Sequence, residues 1–278
     1  MSTLSMQYTQ DLLMGIFFTD MMHGNGLLNV EEANSQSCHQ EDAKGEDRRR
    51  LAIKMNSSFL SLLQLLENEA SSIKLKYNEG DCHEVVVLPT TWMLRTNDDC
   101  KTTFTASHLP AEFRLLQIHG HWGESADCGS EHSIDYRQFS GEIHFVFWNT
   151  NYELEDASNH PDGMAVLAVF LTEGKYNHDY AHISGVILEA VNNKAPVSVP
   201  RNFDLTKLLP EGSDYVFYEG SLTTPPYTEC VLWTVMLEPV EVSVNQRKLP
   251  GFNGSAEAVK STRGLESGAK SMGNVTVL

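Results

Sequence analysis

Two stretches of the chain alternate, residue by residue, between polar and apolar side chains. They are Gln117-Ile118-His119-Gly120-His121-Trp122-Gly123 and Glu142-Ile143-His144-Phe145-Val146-Phe147-Trp148-Asn149. A period of two is the mark of a strand whose faces meet different surroundings. On such strands His119 and His121 share a face with Gln117, and His144 shares a face with Glu142. Ile118 and Trp122 occupy the opposite face of the first, and Ile143, Phe145 and Phe147 that of the second. The sequence between His121 and His144 is long enough for a loop and a return strand. If the two strands pair antiparallel, three imidazoles converge from one sheet. Three protein nitrogens with a fourth position open form the donor set of a catalytic zinc, whereas structural zinc sites are closed by a fourth ligand. Gln117 and Glu142 stand where they can take the second ring N–H of their neighbours, which fixes the tautomer and orientation of a metal-bound histidine. Any one of these histidines could be a packed strand residue. Their joint spacing favours Zn2+ held by His119, His121 and His144.

Further motifs extend the pattern: Gly129-Ser-Glu-His-Ser-Ile-Asp135, Pro161-Asp-Gly-Met-Ala-Val-Leu-Ala-Val-Phe170 and Tyr218-Glu-Gly-Ser-Leu-Thr-Thr-Pro-Pro226. With the two histidine stretches, in this order, they resemble the alpha-class carbonic anhydrases over about residues 71–246. The resemblance implies a mostly β fold with short helices, built on a large, twisted, mainly antiparallel central sheet. It also implies zinc-dependent reversible hydration of carbon dioxide to bicarbonate by a zinc-bound hydroxide. On this footing the zinc ligands are His119, His121 and His144. The threonine beside the hydroxide is Thr223, and the glutamate orienting that threonine is Glu131. Thr224 belongs to the cleft, and Val146, Val166, Leu222 and Trp233 form an apolar wall for carbon dioxide. The alternative within this resemblance is a related protein that binds partners and does not catalyse. A cupin-type metalloenzyme is a more distant alternative, because His119-x-His121 is followed by Glu124 and later by His144. Its acidic ligand would stand slightly further on, and Pro-x-Gly is missing before His144.

The chain also departs from that family. A gapless count from His119 puts Pro89, followed by Thr90 and Thr91, where a proton-relay histidine is expected; the nearest histidines are His83 and His108. Without a relay, the proton leaves slowly, directly or through buffer. Residues 1–70 read as an atypical extension, with a short apolar segment at Asp11–Met22, Arg48-Arg49-Arg50, and helical spacing of Met55, Phe59, Leu62, Leu63 and Leu66 within Leu51–Glu69. Residues 71–246 form the expected catalytic domain. Residues 247–278, dominated by Gly, Ser, Lys and Ala, read as a flexible tail.

Composition bounds the partners. A net charge of −17 without a long basic stripe argues against nucleic acid. No apolar run reaches the roughly 18–20 residues of a membrane span. Five cysteines show no metal-ligand spacing, and Asp11–Met22 lacks the basic flank of a signal peptide. These features point to the cytoplasm, with no nucleic-acid partner and no membrane span; the resemblance implies carbon dioxide and bicarbonate as the partners, and the chain is expected to be a monomer.

Overall fold

The computed structural model describes residues 73–134, 137–212 and 214–247, together with the backbone of Val275–Val277. The helix expected within Leu51–Glu69 and the segment Asp11–Met22 lie outside the described residues. The first strands are β1 (Ile73–Lys76), β2 (Cys82–Val87), β3 (Trp92–Thr96), β4 (Thr103–Ala106), β5 (Phe113–Trp122) and β6 (His132–Ile134). They are followed by β7 (Gly141–Asn149), β8 (Met164–Glu173), β9 (Val197–Ser198), β10 (Tyr215–Gly220), β11 (Val231–Met236), β12 (Val240–Val242) and β13 (Val275–Val277). Between them lie α1 (Leu154–Ala157), α2 (Tyr180–Asn193), α3 (Val244–Arg247) and a 3₁₀ turn at Leu205–Leu208.

Eleven strands form one sheet in the order β10-β11-β8-β7-β5-β3-β2-β9, with β4 and then β1 branching from β5 and β12 continuing along β8. Among the described residues, only the pairings of β8 with β11 and with β12 are parallel. The expected large, mainly antiparallel sheet with few short helices is the architecture observed.

The sheet separates two apolar layers, and β8 supplies both. Ala165, Leu167, Val169 and Leu171 enter one layer, and Met164, Val166, Ala168 and Phe170 the other. A continuous apolar run is what a strand covered on both faces requires. The first layer is closed by α2, whose Tyr180, Ile183, Ile187 and Ala190 recur at helical spacing and are buried. Each fully buried Ile or Leu in these layers contributes about 1.5–3 kcal/mol relative to exposure.

The strand that carries two of the candidate ligands is irregular in a way that matters. The β5–β7 register shifts between Leu115 and Gln117. Strict alternation would put Phe113 and Leu115 on the face of His119 and His121. The bulge changes the parity, so Phe113 and Leu115 join Ile118 and Trp122 in the first layer. Behind the histidines, a Cβ at Gly120 would meet the Trp92 indole at 2.7–2.8 Å, so glycine is what lets β3 lie flush against β5.

Within the segment read as a flexible tail, Val275–Val277 is a strand, paired antiparallel with β6 from His132 to Ile134. No helix among the described residues is long and apolar enough to cross a membrane.

Candidate metal centre

Antiparallel pairing of β5 with β7 sets His119 directly opposite His144, and His121 opposite Glu142. The ring centroids of His119 and His121 are 5.0 Å apart, those of His119 and His144 5.1 Å, and those of His121 and His144 4.6 Å. One nitrogen from each ring lies within 4.8 Å of the others. The convergence expected from the two alternating stretches is therefore present.

The hydrogen bonds behind the rings determine which nitrogens face inward. The Gln117 side-chain carbonyl can only accept, so His119 Nδ1–H donates to it at 3.0 Å. Burial raises the cost of the Glu142 charge, yet the flanking His132 and His144 hold this carboxyl well below its usual range. It is therefore an acceptor. Its Oε1 accepts hydrogen bonds from His144 Nε2–H at 2.7 Å and from His132 Nδ1–H at 2.6 Å. The remaining nitrogens, His119 Nε2 and His144 Nδ1, point at each other across 3.3 Å. Burial, and then the neighbouring imidazoles, keep His119 well below its ordinary pKa. Burial likewise lowers His144, against the opposing pull of Glu142. Neutral rings with inward lone pairs are donors waiting for a cation, and the residues present fit Zn2+.

Glu142 also anchors the next strand. Its Oε2 accepts from the backbone N–H of Glu131 at 3.0 Å and of His132 at 2.9 Å. His132 Nε2 in turn accepts the Tyr218 hydroxyl at 2.7 Å. In the chain Tyr218–His132–Glu142–His144 the last three residues are buried and Tyr218 is half-buried. Sequence reasoning assigned no role to His132 or Tyr218, although both lie inside quoted motifs. Their approach to Glu142 depends on loop paths that alternation does not encode.

The proposed wall is a rung of the sheet. Val146 faces Val166 across β7–β8, and Val166 faces Trp233 across β8–β11. The three are 6%, 2% and 3% exposed, so together they leave little polar surface; Leu222 packs against them. The Trp233 ring lies edge-on to His144, with centroids 5.0 Å apart, and its indole N–H donates to Ser221 O at 3.1 Å. That bond draws in the loop carrying Thr223 and Thr224. The loop is closed by Leu222 N to Thr228 O at 2.9 Å and Tyr227 N to Thr224 O at 2.9 Å.

The Glu131 carboxyl faces the cluster, with Oε2 3.4 Å from His121 Nε2 and 3.8 Å from His144 Nδ1. The cupin alternative fails on geometry, since Glu124 is exposed and stands outside the three-histidine group.

Of the two histidines nearest the expected relay position, His108 is engaged elsewhere. His108 Nε2 bonds Thr234 Oγ1 at 2.8 Å, its ring stacks on Phe217 at 4.3 Å, and its Nδ1 is buried without a partner. Burial pushes its pKa from 6.5 down to about 4. A histidine that protonates more readily when unfolded favours the folded state above pH 6.5, and that contribution fades as pH falls from 6.5 toward 4. His108→Phe should therefore flatten the acid limb of a urea-midpoint profile between pH 6.5 and 4. An acid limb as steep as the parent's would show that His108 does not resist protonation.

A family description of eukaryotic-type carbonic anhydrase matches residues 60–262, a wider span than the 71–246 expected. Carbonic anhydrase 1 of Monodelphis domestica is 34% identical over 196 residues, covering 68% of this chain and 74% of that protein. Carbonic anhydrase 3 of Sus scrofa is 40% identical over 151 residues, covering 54% of this chain and 58% of that protein. Carbonic anhydrase 1 of Oryctolagus cuniculus is 34% identical over 174 residues, covering 62% and 74% respectively. With three converging histidines, an apolar rung beside them and a match over most of its length, the chain belongs to the eukaryotic-type carbonic anhydrase family.

Proposed function

We propose that this chain is a zinc enzyme that interconverts carbon dioxide and bicarbonate. The observation that carries the reading is the pair of inward lone pairs on His119 and His144, completed by His121 and set beside the Val146–Val166–Trp233 rung. His119, His121 and His144 would hold Zn2+, which when bound brings the pKa of a water to about 7, the value known for carbonic anhydrase itself. Gln117 and Glu142 keep two of the rings in the tautomer that leaves a lone pair inward. Val146, Val166, Leu222 and Trp233 offer a linear, uncharged substrate an apolar seat, and they give a charged product nothing to bind. Thr223 and Thr224, half-buried on the loop held by Trp233, supply hydroxyls at the edge of that seat to orient the attacking water. Glu131, whose Oε2 lies 3.4 Å from His121 Nε2, is the glutamate that would orient Thr223. The unit that performs this is the sheet within residues 71–246. Carbon dioxide hydration measured on purified protein, with zinc quantified in the same sample, is the direct test. Zinc retained without hydration would favour the partner-binding alternative, and absence of zinc would reject the centre.

Proton removal should be the slow part. Pro89 and Thr90 are exposed and carry no titratable group, and His108 is committed to Thr234. Hydration should consequently rise strongly with the concentration of small imidazole buffers. Thr90→His, at a solvent-facing position, should blunt that rise. A rate in the parent protein indifferent to buffer would mean that another internal group already carries the proton.

A further inference from the structure

Arg247 is a buried cation that the proposed chemistry leaves unused. It closes α3, is 3% exposed, and spends its guanidinium on two targets. Nη1 donates to the Gly123 carbonyl at 2.7 Å, while Nε and Nη2 donate to Glu173 Oε2 at 3.1 and 2.8 Å. Gly123 directly follows Trp122, whose partner Gly141 is the last rung of the β5–β7 ladder. Glu173 ends β8, and Gly141 pairs on its other side with Leu171 of that strand. The guanidinium thus reaches across the start of β7 and ties the end of β5 to the end of β8.

Its neighbours make the tie rigid. The Gln246 side chain accepts from Asn177 N at 2.9 Å and donates to Asn177 O at 2.6 Å, which fixes α3. At the other end, a Cβ on Gly123 would fall 1.3 Å from Cys128 O, so the backbone there has no room to swing. We propose that Arg247 is a positioning residue of the metal centre: from outside the cluster it clamps the end of β5, and so sets how closely His121 approaches His119 and His144. The inference rests on the metal-binding reading above. The fork geometry matters, because a planar guanidinium can serve a carboxylate and a carbonyl together, whereas an ammonium is a point donor on a flexible stem.

The test is titration of metal-stripped protein with Co2+ against a competing chelator, with the visible spectrum of the bound ion recorded and thermal unfolding followed in parallel. Arg247→Ala should weaken Co2+ binding by about tenfold or more, within the range of about 10–100-fold known for residues that support metal ligands. The Co2+ band should change shape, and added methylguanidinium should restore part of both. Arg247→Lys should fall between parent and Ala. Asp81→Asn leaves one acceptor oxygen where two now serve Asn78 on one side and Cys100, Lys101 and Thr102 on the other, a knot of hydrogen bonds outside the three-histidine group. It should lower the unfolding temperature and leave Co2+ affinity and spectrum unchanged, separating a stability loss from a positioning loss. If Arg247→Ala does not fold, Arg247→Lys and Glu173→Gln carry the test, each with a smaller loss in the same direction. Parent-like affinity and spectrum in Arg247→Ala, or in both of the milder variants, would overturn the clamp. A parent protein that takes up no Co2+ would overturn the metal reading itself and the clamp with it, an outcome distinct from equal binding in parent and variants.

Discussion

Alanine at His144 is expected to strip zinc from the purified protein and take hydration down to the background of buffer. The variant leaves only His119 and His121 to hold the ion. It also removes the ring that links the cluster to Glu142 through a 2.7 Å hydrogen bond. Losing a residue that merely supports a ligand costs about 10–100-fold in metal affinity. Losing a ligand together with its supporting bond should exceed that range. Glu142→Ala provides the calibration: it keeps all three ligand rings but frees His144 Nε2, and its affinity should fall within the 10–100-fold window. The two are read by zinc content after dialysis against a graded chelator series. Equal zinc retention in His144→Ala and the parent would reject the three-histidine site outright.

The convergence of His119, His121 and His144 was legible because it depends on little beyond the period of a strand. Gln117, His119 and His121 lie two residues apart, as do Glu142 and His144, so each set shares a face wherever the sheet happens to sit. Antiparallel pairing then needs only a loop, and the register observed puts His119 opposite His144. The bulge between Leu115 and Gln117 was not legible. It adds one residue to one strand, and the apolar residues on either side fit both parities. Glu131 illustrates a different limit. Its backbone N–H is held by Glu142 and its carboxyl approaches His121, contacts that depend on the path of a loop and that a strand period does not contain. Arg247 is of the same kind. A lone arginine near the end of a match has no period, and its partners, Gly123 and Glu173, are remote in sequence and brought together only by the three adjacent strand ends.

The wall was legible for a related reason. Val146 and Val166 sit on alternating apolar strands, and strands β7, β8 and β11 are neighbours in the sheet, so their rung continues to Trp233 without any loop-dependent step. The Thr223 loop had no such guarantee. Its position depends on one indole hydrogen bond to Ser221 and on two short backbone closures. That difference explains why the apolar rung follows from the sequence pattern more directly than the loop that carries Thr223 does.

The polar edge can be dissected by rate and metal content together. Thr223→Ala removes a half-buried hydroxyl outside the three-histidine group, so zinc content should stay near the parent value. The hydration rate should nonetheless fall by about 10²–10³, or roughly 3–4 kcal/mol, the usual loss when one preorganised contact to the reacting atoms is deleted. Glu131→Gln should differ in the first readout. Its carboxylate lies 3.4 Å from His121 Nε2, so neutralising it should weaken metal binding as well as rate. Measured at saturating zinc, the double variant should be little slower than the slower single variant. If Glu131 acts by orienting Thr223, as the resemblance implies, the two fail as a unit, because once Thr223 is lost Glu131 has nothing left to orient. Thr223 would then be silent in affinity and strong in rate, and Glu131 would register in both. Rate losses that multiply in full would place the two residues on separate tasks, with Glu131 serving the imidazoles alone.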